Sequence, residues 1–455
     1  MFKKFTNGCV NLVQRFLPDP FIFCIILTVV VFIADLFVHG SFMQVLTFWG
    51  DGVWGLLSFA MQMALVLVLG TAMANAPIIQ KGLKKLASIP KTPFQSIIFV
   101  TLISTLACWL NWGFGLVVGA IFAKEIAKQV KGVDYRLLIA SAYSGFVVWH
   151  AGLSGSIPLK LASWSESLPK ETGNIIASAE NVVSLNRTVF SVWNILICLV
   201  ILILMPIVNA KMHPTKDKVV AIDPKLLIEA KIVKPENKTP AQKLENSRIM
   251  AFIVVILGAI YIVKKLIDGG IGGLDLNLVN LIFLVLGVLC HKTPIAYVNA
   301  ITDAVKGAGG VLLQFPFYAG IMGMMTGANP ETGASLAGII SNGFVAISNK
   351  VTFPLWTFLS AGVVNFFVPS GGGQWTVQGP IMMPAGQALG VDPALTAMGI
   401  AWGDAWTNML QPFWALPALG IAGLGARDIM GYCIIDLLLT GVIVVVGFLI
   451  VGLVL

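Results

Sequence analysis

The chain has 455 residues, of which 57% are hydrophobic and 11% charged, and it carries a net charge of +8. Soluble domains have about 25% charged residues, so this composition excludes an ordinary soluble enzyme and indicates a polytopic membrane protein. Long unbroken apolar runs favour an all-α protein over a membrane barrel, and the positive charge is attributed to cytoplasmic loops, with no nucleic-acid partner expected.

The first half, residues 1–209, is predicted to be a membrane repeat. Residues 1–20 are basic and show no evident cleavable signal, so the N-terminus is placed in the cytoplasm. Lysines flank residues 97–123 on both sides, which predicts a helical hairpin that enters and leaves by the cytoplasmic face. The predicted membrane segments in order are residues 21–38, 53–75, 97–123, a broken span at 137–159, and 188–208, with an outer loop at 160–187.

Residues 210–248 are the one polar stretch and are predicted to be a cytoplasmic linker, with a short surface helix near residues 224–231. The second membrane repeat covers residues 249–455. Its predicted segments are 249–267, 276–290, 310–327, a second hairpin at 352–384 with both ends outside, a second broken span at 393–424, and 429–455.

A weak internal repeat relates the two halves. The tripeptide Gly-Val-Asp at 132–134 recurs at 390–392, each time after a hairpin and before a broken span. At the same offset Gly145 matches Gly403, and His150 matches Asn408. Because the charge pattern gives matching segments opposite orientations, we predict an inverted-topology repeat, and paired interruptions of this kind point to a transporter's substrate site.

Polar residues and glycines interrupt both hairpins and both broken spans. Consecutive glycines make poor helix, so the second hairpin is predicted to turn in a loop that exposes peptide N–H groups. Such groups at half-helix N-termini attract carboxylates; the alternative is a flexible turn or helix end at the membrane surface. The predicted substrate-binding residues are Asn111, Gly113, Gly115, Ser154, Ser156, Asn365, Ser370, Gly371, Gly372, Gly373, Thr407 and Asn408.

Asp404, Thr407, Asn408 and Gln411 form one polar stripe at helical spacing. A carboxylate at bilayer depth costs roughly 2.5–3.5 kcal/mol, so Asp404 is expected to face the protein interior and to bind a coupling cation or carry a proton. The alternative is a structural hydrogen bond. His150 is the second candidate for coupling, and Na⁺ is considered near Asn111, Asn365 and Asp404. Asp35, Asp51 and Asp436, nearer to span ends, are expected to meet water. No cofactor motif is present.

Residues 152–155, Gly-Leu-Ser-Gly, also fit the pattern of an intramembrane serine hydrolase, with Ser154 as nucleophile and His150 as its base. Four small residues are weak evidence, and this hypothesis leaves the matching break in the second half unexplained.

The chain resembles, nearly end to end, the short-chain fatty acid transporters of the bacterial acetoacetate/butyrate uptake family. The most specific stretches are Asn111-Trp112-Gly113-Phe114-Gly115, Trp-His-Ala-Gly-Leu-Ser-Gly-Ser at 149–156, Val-Pro-Ser-Gly-Gly-Gly-Gln-Trp at 368–375, and Trp-Gly-Asp-Ala-Trp-Thr-Asn at 402–408. The resemblance implies two re-entrant hairpins, a homodimer, an elevator-like transport domain and a bacterial inner membrane location.

Dicarboxylate relatives of this superfamily carry a Ser-Asn-Thr motif at each hairpin tip that binds sodium and the substrate carboxylate. This chain has Asn111-Trp112-Gly113 and Pro369-Ser370-Gly371 instead, so sodium coupling does not carry over. We therefore expect a secondary-active carrier for a small monocarboxylate such as acetoacetate or butyrate, coupled to H⁺ or Na⁺. The absence of Lys and Arg from the site segments favours a singly charged substrate. A carrier for another organic anion, such as a C4-dicarboxylate, and a solute channel remain alternatives.

Overall fold

The computed structural model describes residues 20–224, 239–270, 274–365, 368–410 and 414–454, and regular structure in these ranges is helical, without strands. The helices are α1 (Pro20–His39), α2 (Phe42–Gly52), α3 (Leu57–Ala74), α4 (Pro77–Leu86), α5 (Pro93–Leu110), α6 (Trp112–Gln129), α7 (Tyr135–Ser144), α8 (Ser156–Ala162), α9 (Leu168–Glu171), α10 (Val192–Lys211), α11 (Pro240–Glu245), α12 (Arg248–Gly269), α13 (Leu276–His291), α14 (Pro294–Val305), α15 (Gly309–Thr326), α16 (Leu336–Ile347), α17 (Phe353–Val364), α18 (Gly371–Ala388), α19 (Pro393–Thr407), α20 (Ala415–Ala422) and α21 (Ala426–Val454). Seven helical stretches in the described ranges are long and apolar enough to cross a bilayer, which confirms the all-α polytopic membrane class.

Six short helices were not predicted: α2, α4, α9, α11, α14 and α16. Each has 12 residues or fewer, too short to register in a search for spans of about 20 residues. Helix α2 packs on α15, where Gly320 and Gly323 leave room for it. Part of the predicted surface helix (225–231), the N-terminal stretch 1–19 and Gln411 lie outside the described residues.

The first hairpin consists of α5 and α6, which Asn111 joins and which pack against each other. Gly115 permits this packing, because a Cβ there would lie 2.5 Å from Cα and from Sγ of Cys108. The second hairpin consists of α17 and α18, whose intervening residues 368–370 are buried.

The prediction that residues 371–373 form a loop is wrong, because α18 begins at Gly371 and the three glycines are its first turn. First-turn N–H groups need no partner within the helix, and Ser370 caps the turn by accepting a hydrogen bond from the Gly373 N–H at 3.5 Å. The glycines serve close packing instead, since a Cβ at Gly372 would lie 2.8 Å from Cζ of Phe315.

The first broken span comprises α7, a 3₁₀ helix (Gly145–Ala151), a break at 152–155 and α8. The second comprises α19 and α20. Both begin in the same way: Gly132 and Gly390 have φ of +80° and +71°, a region open to glycine. Asp134 and Asp392 then cap the following helix by accepting a backbone N–H bond.

Each broken span also crosses the first arm of its own hairpin at an equivalent glycine. A Cβ at Gly145 would lie 2.5 Å from the Thr105 nitrogen of α5, and one at Gly403 would lie 2.5 Å from Cβ of Ala361 on α17. These matching crossings support the internal repeat.

The Gly403 crossing makes a prediction about stability. Gly403→Ala is expected to destabilise the protein by roughly 1–3 kcal/mol, because the added methyl group overpacks a backbone contact. Gly82→Ala is the matched control: Gly82 is also helical, and nothing lies within 4 Å of a Cβ there. Alanine at 82 is expected to be neutral or stabilising by up to about 1 kcal/mol. Thermal unfolding of the detergent-solubilised variants measures both, and equal unfolding temperatures would contradict the tight crossing.

Candidate functional site

Asp404 and His150, the two coupling candidates, form a buried pair with 0% exposure for both residues. The His150 Nδ1 atom lies 2.8 Å from Oδ2 of Asp404. On the other side of the ring, Nε2 accepts from the Ile157 N–H at 3.1 Å and lies 2.9 Å from Oγ of Ser156. Because a peptide N–H only donates, Nε2 is the acceptor, and Nδ1 carries the hydrogen that is donated to Asp404.

The tip of the second hairpin packs directly on this pair. A Cβ at Gly371 would collide with Cε1 of His150 and lie 2.6 Å from Oγ of Ser156. Only a glycine therefore allows the start of α18 to approach the first broken span this closely. Of the predicted site residues, Ser156 and Gly371 thus meet at the pair, whereas Gly372 packs on Phe315 and Gly373 on Tyr318. Ser370 caps the same turn.

The tip of the first hairpin is also buried. Asn111 caps α6 by accepting a hydrogen bond from the Phe114 N–H at 2.9 Å. The Trp112 N–H donates to Oγ of Ser154 at 2.9 Å, which ties the tip to the break in the first broken span. Gly113 packs on Leu67 of α3.

Trp414 connects the two tips, a role that sequence reasoning did not assign to it. Its ring centroid lies 4.9 Å from that of Trp112, and its Nε1–H donates to the Pro369 carbonyl at 2.7 Å. The structure therefore brings the two hairpin tips together inside the protein.

Asn365, Thr407 and Asn408 form a third part of the same region. Asn365 Nδ2 donates to Oγ1 of Thr407 at 2.9 Å, and Asn408 Nδ2 donates to Oδ1 of Asn365 at 3.4 Å. Trp149 Nε1 donates to Oδ1 of Asn408 at 3.0 Å. These contacts attach the second hairpin to the second broken span, and the second broken span to the first.

Sodium was considered near Asn111, Asn365 and Asp404. The amide oxygen of each asparagine accepts one hydrogen bond from an N–H donor. Within the described ranges, no three His, Cys, Asp or Glu side chains come together as a metal site.

The hydrolase hypothesis paired Ser154 with His150, but the Ser154 hydroxyl is bound by Trp112 and it is Ser156 that contacts His150. Ser156, His150 and Asp404 do follow the order of a hydrolase triad. However, the Gly371 backbone covers the Ser156 hydroxyl, so the face from which a substrate carbonyl would be attacked is occupied.

Sequence reasoning missed a second buried ion pair. Lys160, predicted to begin an exposed outer loop, is 3% exposed, and its Nζ lies 3.0 Å from Oε1 of Glu171. Trp375 donates its Nε1–H to Oε2 of Glu171 at 2.8 Å. The burial of Lys160 could have been predicted from its position inside the apolar run 157–162.

Asp35, Asp51 and Asp436 were expected to meet water. Asp51 is exposed, whereas Asp35 and Asp436 are 0% exposed. Asp436 lies well inside α21, and neither of its carboxylate oxygens has a hydrogen-bond partner among the described residues.

Comparison with known proteins gives a consistent assignment. The short chain fatty acid transporter family matches residues 1–451. A protein of Escherichia coli (strain K12), provisionally named a short-chain fatty acid transporter, is 46% identical over 98% of this chain and 99% of its own length. A protein of Haemophilus influenzae with the same provisional name is 44% identical over 98% of this chain and 99% of its own length.

Two solved structures share the fold. The YdaH transporter of Alcanivorax borkumensis has a TM-score of 0.56 at 15% identity and covers 96% of this chain and 98% of its own. MtrF of Neisseria gonorrhoeae, from a class of antimetabolite efflux pumps, has a TM-score of 0.50 at 16% identity and covers 98% of this chain and 97% of its own. At these identities the likeness concerns the fold alone. From the family match and the two close relatives, the chain belongs to the short-chain fatty acid transporter family.

Proposed function

We propose that this protein is a secondary-active carrier that moves a short-chain monocarboxylate, such as acetoacetate or butyrate, together with a proton. The observation that carries the proposal is the meeting of two hairpin tips and two broken spans around the buried Asp404–His150 pair. Family membership supports the substrate class.

The substrate carboxylate is bound by neutral donors at the tips. Helices α6 and α18 both begin there, and first-turn N–H groups have no acceptor within their own helix. A helix N-terminus favours a negative charge, and one carboxylate needs no side-chain cation in such a place. The hydroxyls of Ser154, Ser156 and Thr407 and the amides of Asn111, Asn365 and Asn408 add polar contacts.

The proton is carried by Asp404. Donors already occupy Nε2 of His150, whereas Oδ1 of Asp404 has no hydrogen-bond partner among the described residues. A proton can therefore bind Oδ1 of Asp404 without breaking an existing hydrogen bond, while the hydrogen bond from His150 holds that carboxyl group in place.

The two repeats have opposite orientations in the membrane in this proposal. Asp134 at the start of the first broken span accepts from the Val220 N–H of the linker at 2.9 Å, whereas Asp392 at the start of the second lies 2.8 Å from Arg187 of the predicted outer loop. Asp134 thus contacts a segment that the charge pattern places in the cytoplasm, and Asp392 contacts one that it places outside.

The hairpins and broken spans would move as one body against α3 and α15, in an elevator-like manner, within a homodimer of the bacterial inner membrane whose N-terminus is cytoplasmic. Helix α12, buried among the described residues only at Ala251, leaves an apolar surface for lipid or a second copy.

The role of Asp404 predicts the behaviour of Asp404→Asn. An imposed gradient of about one pH unit is worth about 1.4 kcal/mol per coupled proton, or about tenfold accumulation. The variant is expected to lose this accumulation and to retain exchange of labelled for unlabelled substrate. The measurement is uptake of radiolabelled butyrate into proteoliposomes, corrected for permeation into protein-free liposomes.

Asp303→Asn is the control for this experiment, because Asp303 is an exposed carboxylate paired with Lys306 at the surface. It is expected to accumulate butyrate as the wild type does. Unchanged pH-driven accumulation in Asp404→Asn would show that Asp404 is not the proton carrier, and accumulation driven by Na⁺ alone would assign coupling to sodium.

The neutral donors at the tips predict the substrate class. Unlabelled acetoacetate is expected to compete with labelled butyrate, whereas succinate is expected to compete at least about tenfold less well, because a second carboxylate is desolvated without a partner. Stronger competition by succinate would indicate a dicarboxylate carrier, and flux without counter-flow would indicate a channel.

A further inference from the structure

Lys160 lies beside the proposed site and is the one Lys or Arg that is buried among the described residues. It follows Ser156 by one turn of α8, so both side chains occupy the same face of that helix. The Lys160 ammonium lies 4.6 Å from the centre of the Phe59 ring, and a Cβ at Gly372 would lie 2.9 Å from Cε1 of the same ring. The cation therefore lies next to the first turn of α18.

The partners of Lys160 differ on its two sides. Towards the interior, Nζ meets Glu171, whose carboxylate is also bound by Trp375 of the second hairpin. Towards the loop, Nζ donates to the hydroxyls of Ser165 and Ser167 at 3.0 and 3.1 Å, and both serines are partly exposed. The ammonium thus lies between a buried carboxylate and two partly exposed hydroxyls of the predicted outer loop.

We propose that Lys160 is a substrate-recognition residue: it first binds the carboxylate on its way to the hairpin tips, in place of Ser165 and Ser167. This inference rests on the proposed function. The ammonium is charged in both contacts, but a carboxylate adds the attraction of an opposite charge that the neutral serine hydroxyls lack, so a carboxylate displaces the serines. Glu171 supplies the counter-ion that a buried ammonium requires when no substrate is bound.

The test is the concentration dependence of butyrate counter-flow in proteoliposomes. Lys160→Gln is expected to raise KM by at least about tenfold with little change in the maximal rate, since a charge-assisted contact is lost. Lys160→Arg keeps the charge and is expected to retain most of the affinity. Glu171→Gln is expected to lower KM, because it removes a competing negative charge. Lys170→Gln, at an exposed lysine of the same loop, is the control and is expected to leave KM unchanged.

The double variant Lys160→Gln/Glu171→Gln separates recognition from a structural ion pair. A structural pair predicts that removal of both charges restores transport, whereas recognition predicts that KM stays raised; restoration would overturn the assignment of Lys160. If Lys160→Gln does not fold, Ser165→Ala/Ser167→Ala decides, with a lowered KM expected and an unchanged KM overturning the assignment. Absence of butyrate counter-flow in the wild type would overturn the proposed function itself.

Discussion

Peptide groups released where a helix breaks inside a membrane protein need partners from the protein, because lipid supplies none. In this chain some partners come from the same turn and others from a different element. Ser154 of the first broken span accepts the Trp112 N–H of the first hairpin, and Trp414 donates to the Pro369 carbonyl of the second hairpin. The two halves of the chain are joined beside these interruptions by the Trp112–Trp414 ring contact and by the His150–Asp404 and Trp149–Asn408 hydrogen bonds.

The same constraint governs the buried charges. His150 is paired with Asp404, and Lys160 with Glu171. His150, Lys160 and Glu171 each have a further hydrogen-bond partner, whereas Oδ1 of Asp404 has none among the described residues. Removal of one member leaves an uncompensated charge, which is far costlier than loss of the pair. Asp436 stands apart, since neither oxygen of its carboxylate has a hydrogen-bond partner among the described residues.

Hydropathy and charge were sufficient to predict the long spans, and interruptions by Gly, Ser, Asn and Pro located both hairpin turns and both breaks. Prediction from the local sequence failed where contacts with distant residues determine the structure. Residues 371–373 begin a helix. They are glycines because aromatic rings from other parts of the chain leave no room for side chains there, and no residue close in sequence reveals this. Likewise, the partners of His150 and Glu171 lie 254 and 204 residues away, a separation that periodicity does not bridge. Helices as short as α2, α14 and α16 also escape a search based on bilayer thickness.

The contact of Gly371 with His150 and Ser156 has a consequence for how water enters the protein. The bare backbone of α18 lies over the imidazole ring and the serine hydroxyl together. If α18 moves away from α8, both groups are uncovered at the same time. Water then reaches the Asp404–His150 pair only when these two helices separate. In the proposed carrier, such an arrangement would make admission of the solute and exchange of the proton simultaneous, without a separate water-filled channel.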